Sequence, residues 1–246
     1  VRVKPWELLG RAPIPGGTAV MELHRRDTEH ALRVGHRELM NSRQHGSEDA
    51  LAELSADVVG GRPRSRVLIG GLGMGFTLAA ALRRFGPDAA LVVAELVPEV
   101  VVWNQTFLAD LAGRPLDDAR VRVVVDDVGV VLRDGPWDAV LLDVDNGPDG
   151  FTRAANAGLY GPAGLAAARA ALAPGGVLAV WSAVPDAGFA RQLGRAGLEV
   201  TEHVVRARGN KGARHTIWLA RRPGGPPRPA AAVTPPGRPR GGGPPR

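Results

Sequence analysis

The residues best equipped for chemistry are a run of acids, each standing where an apolar stretch ends: Glu95, Asp126 with Asp127, and Asp143 with Asp145. Ahead of them lies Val67-Leu-Ile-Gly-Gly-Leu-Gly-Met-Gly-Phe-Thr-Leu78, an apolar strand that breaks into alternating glycines and then becomes a helix. Such a turn lets a ligand lie against bare backbone and the helix N-terminus, because glycine adds no Cβ and tolerates positive φ. A dinucleotide fingerprint needs a third glycine at the sixth position, and counting from Gly71 that residue is Phe76. The pattern is instead G-x-G-x-G, at Gly71, Gly73 and Gly75 around Leu72 and Met74, and it suits an adenosine better than a pyrophosphate. An acid at the end of the following strand, Glu95, stands where a ribose diol is gripped. Any one of the acids could cap a helix. Several at one edge repel one another unless a cation or hydrogen-bond donors lie between them. A sulfonium or a protonated amine answers that charge. Because no histidine is near these acids in sequence, no metal is expected.

The elements that must carry these residues follow from periodicity. Ala19–His24, Glu29–Val34 and Arg37–Met40 read as short antiparallel strands around a polar turn. Ser47 reads as the N-cap of a helix with Leu51, Leu54 and Val58 at helical spacing, ended by Gly60-Gly61. Strands and helices then alternate: strands at 67–69, 91–94, 121–125, 139–142 and 177–181, with helices from Phe76 to Phe85, from Pro98 to Leu111 with Gly113 as C-cap, from Pro162 to Leu172, and from Asp186 to Arg195. Ala173–Gly176 reads as a turn, and strands 199–205 and 216–220 form a closing hairpin. The expected fold is α/β: a doubly wound, mostly parallel, seven-stranded Rossmann-like sheet with one antiparallel strand at its end, preceded by a small antiparallel β cap. Expected boundaries are a cap at 1–45, a nucleoside-binding α/β domain at 46–222 and a disordered Pro/Gly/Arg tail at 223–246.

The formal charge of +6 suggests nucleic acid until it is located. Six arginines, Arg221, Arg222, Arg228, Arg238, Arg240 and Arg246, follow Ala220, where there are no acids. That leaves 25 basic residues against the chain's 25 acidic ones, so the body is balanced and the excess is assigned to the tail. No specific nucleic-acid partner is expected. There is no cysteine, hence no disulfide or thiol chemistry. No apolar run is long enough to span a membrane and no secretory signal is read, so a cytoplasmic protein is expected.

With these residues assembled, the chain resembles the spermidine synthase family of aminopropyltransferases, whose fold is that of class I S-adenosylmethionine (SAM)-dependent methyltransferases. The resemblance covers about residues 18–220. It rests on Val67–Leu78, Ala94-Glu95-Leu-Val-Pro-Glu-Val100, Val124–Val128, Trp137-Asp-Ala-Val-Leu-Leu-Asp143, and Leu159-Tyr160 leading to Ala173–Leu178. Leu39–Asp49 occupies the place of the family's substrate-side loop. The resemblance implies that Glu95 binds ribose hydroxyls, that Asp127 or Asp126 binds the adenine amino group, and that Asp143 orients and deprotonates the attacking amine. It implies a transferase that alkylates a small-molecule amine from SAM or decarboxylated SAM as co-substrate, with aminopropyl transfer in polyamine biosynthesis and a homodimer as the family pattern. Three positions depart from that pattern. Met74 stands where the family has an aspartate that holds the aminopropyl ammonium. Asp145-Asn146 replaces a second spaced acid before Pro148, and Tyr160 is the only tyrosine. The alternatives are a SAM-dependent methyltransferase acting on a small molecule and a non-catalytic nucleoside-binding protein.

Further candidates are local. His45 stands where an acid–base group could face the site, although a loop histidine at a helix start serves equally as a polar neighbour. Trp103 and Phe107, four apart on a helix, read as core. The charged segment Arg206–His215 reads as a solvated hairpin tip, with anion binding as its functional alternative.

Overall fold

The computed structural model describes residues 4–143, 158–183, 185–208 and 211–224. Two sheets carry the architecture. The first is an antiparallel meander, β1 (Glu7–Pro13), β2 (Val20–Arg26), β3 (Glu29–Val34) and β4 (Arg37–Asn41), in the order β1-β2-β3-β4. The second has seven strands: β5 (Arg66–Gly70), β6 (Ala90–Glu95), β7 (Val121–Val125), β8 (Trp137–Leu142), β9 (Leu172–Ser182), β10 (Glu199–Arg208) and β11 (Lys211–Arg221). Their order is β10-β11-β9-β8-β5-β6-β7, parallel except for β11, which runs antiparallel to both neighbours. This is the expected α/β fold with its antiparallel strand at the end. Strand order reverses between β5 and β8, so the carboxyl ends of β5, β6 and β8 flank the crevice where open sheets bind ligands.

The helices are α1 (Gly46–Val59), α2 (Phe76–Arg84), α3 (Pro98–Gln105), a short α4 (Val128–Val131), α5 (Pro162–Ala171) and α6 (Ala187–Arg195). The central strands β5, β6, β8 and β9 are largely buried and apolar on both faces, as a sheet covered on both sides requires, while the edge strands β7 and β10 carry exposed polar residues. Val67 and Ile69 face one core, shared with α1, α2 and the first sheet; Leu68 between them faces the other, built on Trp137, Phe189 and Trp218. Among the described residues no helix is long and apolar enough to cross a membrane.

Several local expectations are corrected. Strand β1 was not anticipated, since Gly10 and Pro13 weaken the pattern. Gly10 is there because the α3 indole packs against it, a Cβ at this position lying 2.6 Å from Trp103 Nε1. Trp103 is core as expected and ties the first sheet to α3, whereas Phe107 is 48% exposed. Helix α3 stops at Gln105, six residues early. Thr106 Oγ1 donates back to the Val102 carbonyl at 2.7 Å, and Leu108 N–H closes a wide turn onto the Trp103 carbonyl at 2.8 Å. Hydroxyl back-bonding of this kind bends and ends helices. The N-cap of α1 is His45, not Ser47. The turn at 173–176 is drawn into β9, where Trp137 pairs with Leu172 across a register shift and Gly175 takes φ 74°. Arg221 and Arg222 belong to the folded body: Arg221 pairs with Glu199 at 3.2 Å, and Arg222 donates to the carbonyls of Leu172 and Ala170. The remainder of the proposed tail, 225–246, lies outside the described residues.

Candidate active site

A cavity of about 440 Å³ opens at the carboxyl ends of β5, β6 and β8. Its floor is the β5–α2 turn. Gly71, Gly73 and Gly75 take φ of 88°, 53° and 82°, the left-handed region in which a side chain is strained. The alternation of glycines is therefore a backbone requirement. A Cβ on Gly73 would also lie 2.9 Å from Met40 Sδ, reaching over from β4, and would push that flexible side chain aside.

Glu95 ends β6 and is 7% exposed. Its Oε2 accepts the Leu72 N–H at 2.8 Å and its Oε1 accepts the Val97 N–H at 2.9 Å. The carboxylate thus fixes the glycine turn and the start of α3 together. A carboxylate offers about four acceptor positions, enough to brace the turn and also receive a diol. Asp126 and Asp127 stand at the neighbouring strand end, both exposed. Asp127 Oδ1 accepts the Gly129 N–H at 2.7 Å and caps α4, while Asp126 Oδ1 accepts the Asp127 N–H at 2.7 Å. Asp143 follows β8, its N–H held by the Gly70 carbonyl at 3.2 Å, and Thr77 Oγ1 donates to its Oδ2 at 3.1 Å. Removal from water raises the Asp143 carboxyl to about 6, against which the Thr77 hydrogen bond works.

The cavity therefore gathers Gly71, Gly73, Glu95, Asp126, Asp127 and Asp143 from four separated stretches of sequence. The other candidates lie elsewhere or beyond view. Leu72 contributes its N–H to Glu95, and Gly75 starts α2; neither lines the cavity. Met74 is 0% exposed and sits in the core under the first sheet, not facing the ligand space. Tyr160 is buried edge-on to Phe189 at 5.6 Å, and its neighbour Leu159 lines the cavity in its place. His45 stacks on Phe76 at 4.2 Å and shares a 2.8 Å hydrogen bond with Asp49, outside the lining. Asp145 and Asn146 lie outside the described residues.

Sequence reasoning missed the far wall. Glu48, on the first turn of α1, lines the cavity with Gln44, Trp181 and His215. Ser47 Oγ donates to Glu48 Oε2 at 2.6 Å, and His215 Nδ1 lies 2.8 Å from the same hydroxyl. His215 packs edge-on to Trp181, whose buried indole N–H has no partner among the described residues. Burial, then the Asp143 charge, lifts Glu48 to about 7; burial lowers His215 and keeps it neutral near pH 7. Of the charged hairpin, Arg206, Arg208, Gly212, Ala213 and Arg214 are exposed, its tip at 209–210 lies outside the described residues, and His215 at its base reaches the cavity. The only sequence cue was a glutamate inside an otherwise apolar helical face, which reads equally well as a first-turn acid facing the helix dipole.

No protein-family model matches the chain. A segment of 127 residues, 50% of the chain, is 35% identical to the polyamine aminopropyltransferases of two Mycobacterium tuberculosis strains and of Mycobacterium bovis. The chain spans 23% of the length of those curated relatives. Two solved structures align over 87% of this chain and 72% of theirs, with a TM-score of 0.68 and 15% identity. They are a spermidine synthase in complex with the transition state analogue AdoDATO and the spermidine synthase from Thermotoga maritima. The chain shares the fold of these spermidine synthases. The structural likeness accounts for the fold, including the small antiparallel sheet ahead of the larger one. The shared fold also explains why the glycine turn, Glu95 and Asp143 meet: all three stand at carboxyl ends of adjacent parallel strands.

Proposed function

We propose that this protein is an amine-alkylating transferase that moves an aminopropyl group from decarboxylated SAM to a small-molecule amine. The observation that carries the reading is Asp143 in the same cavity as a glycine turn braced by Glu95. The aminopropyltransferase names of the curated relatives support the group transferred.

A sulfonium supplies an activated carbon and a neutral thioether leaving group. The protein's part is positioning and proton handling. Glu95 and the glycine turn offer a ribose-sized polar contact, and Asp126 and Asp127 offer acceptors to an exocyclic amino group. An alkylamine has a pKa of roughly 10, so it arrives as a non-nucleophilic ammonium. Asp143 accepts one of its protons, and a carboxyl raised to about 6 is better matched to that task near neutral pH than an ordinary aspartate. Leu32 of β3, Met40 of β4 and Ile14 of the β1–β2 connection line the cavity and shield it from water.

Calorimetric titration with SAM, decarboxylated SAM and methylthioadenosine, followed by turnover with diamines, tests the reading. Binding of decarboxylated SAM, aminopropyl transfer, and a loss on the order of a hundredfold or more in Asp143→Asn are expected. Methyl transfer from SAM would instead establish the methyltransferase alternative. Binding of none of the three nucleosides would leave a non-catalytic protein.

A further inference from the structure

Asp143 is not the only carboxylate positioned to receive the amine. Glu48 reaches the same cavity from the opposite side, carried by α1, which packs on α2 and against β9, β10 and β11. It is a buried acid with one side-chain donor, Ser47, whose hydroxyl is held in turn by His215 from β11. That chain of contacts spans 168 residues of sequence between Ser47 and His215. It fixes the Glu48 carboxylate by one oxygen, Oε2. Trp181, beside His215, presents a buried indole N–H that lacks a partner among the described residues, so this wall carries an unengaged donor next to the Ser47–His215 contact.

We propose that Glu48 is a second catalytic carboxylate, which with Asp143 clasps the ammonium of the incoming amine and shares the acceptance of its proton. Ser47 and His215 are positioning residues that hold Glu48 in place. This rests on the amine-alkylating reading of the site. The step balances: the ammonium gives one proton to the carboxylate pair, the freed nitrogen lone pair forms the new C–N bond, and the C–S bond breaks with its electron pair going to sulfur. The new secondary amine keeps its own protons and leaves as a cation.

Two facing carboxylates at one site titrate as a pair. The charged groups facing Glu48 are Asp143 from the end of β8, Asp49 on its own helix and His215 from β11. Asp49 is engaged by Arg83 at 3.0 Å and by His45, and Thr77 from α2 faces Asp143. Without a cation the pair holds about one proton near pH 6.5, since one member sits at about 7 and the other at about 6. An ammonium between them displaces that proton.

The test is calorimetry of 1,4-diaminobutane binding to the full chain, in two buffers of different ionisation enthalpy at about pH 6.5. Wild type is expected to release about one proton per diamine bound, and Glu48→Gln to release close to none while binding about tenfold or more weakly. In turnover assays the acid limb of the pH profile should move to lower pH in Glu48→Gln, because the carboxyl of the pair that titrates at about 7 is then gone. Thermal melting checks that the variant is folded. Ser47→Ala keeps the carboxylate and should retain proton release with weakened binding. Unchanged diamine affinity and unchanged proton release in Glu48→Gln would overturn the proposal, as would failure of wild type to bind the diamine. Absence of aminopropyl transfer with normal diamine binding would fault the donor assignment and leave the Glu48 result standing.

Discussion

Replacing Met74 by aspartate would restore the residue that the resembling family has at this position, and the structure turns that substitution into a stability experiment. Met74 is 0% exposed in the core beneath the first sheet, whereas Gly73 before it lines the cavity. Truncating a fully buried methionine costs about 2–5 kcal/mol. A carboxyl in its place recovers part of the volume but is left in apolar surroundings, where an unpaired polar group costs roughly 1–3 kcal/mol more. We therefore expect Met74→Asp to lose about 3 kcal/mol or more, which lowers Tm by about 6–12 °C in a domain of this size. Met74→Leu, which nearly conserves volume, should stay within about 1.5 kcal/mol. Urea and thermal denaturation of the two variants, with nucleoside titrations on whatever remains folded, give the comparison. Wild-type stability in Met74→Asp together with a new preference for decarboxylated SAM over SAM would refute the reasoning and turn residue 74 back toward the ligand.

The remaining predictions follow from single features. Glu95→Ala leaves the N–H groups of Leu72 and Val97 without their carboxylate, so about 2–4 kcal/mol of stability should go with nucleoside affinity, as read by denaturation and calorimetry. Asp186 Oδ1 accepts the N–H groups of Gly188 and Phe189 at 2.7 and 3.0 Å; Asp186→Ala should cost about 1 kcal/mol, or about 2–4 °C in a thermal melt, without touching nucleoside binding. Glu48 is raised in the folded state, so its contribution to stability is complete below the ordinary glutamate range and is lost as pH rises through about 7. Melting of wild type against Glu48→Gln across that range should show the variant gaining relative stability as pH increases; a constant difference would mean that Glu48 is not buried beside a like charge.

Much of the fold was legible because its signals are local. Apolar runs of strand length, separated by helix starts such as Pro98 and Asp186, announce a parallel sheet whatever else surrounds them. The helix after Pro98 was read too long because Thr106 redirects the backbone by a hydrogen bond that no hydrophobic period reports. The first strand was missed because Gly10 weakens strand propensity in order to admit Trp103, a residue 93 positions away.

By itself the sequence determined the parallel α/β frame, the positive-φ glycine turn, and the row of acids at strand ends. Each follows from backbone sterics or from the rule that parallel strands point their carboxyl ends the same way. Tertiary structure alone decided which side chains share the ligand space. Packing of the first sheet over the glycine turn sends Met74 inward and brings Met40 across Gly73. Docking of α1 against β11 joins Ser47 to His215 and sets Glu48 opposite Asp143. Those pairings depend on contacts between distant segments, and burial then changes the protonation of the acids they enclose.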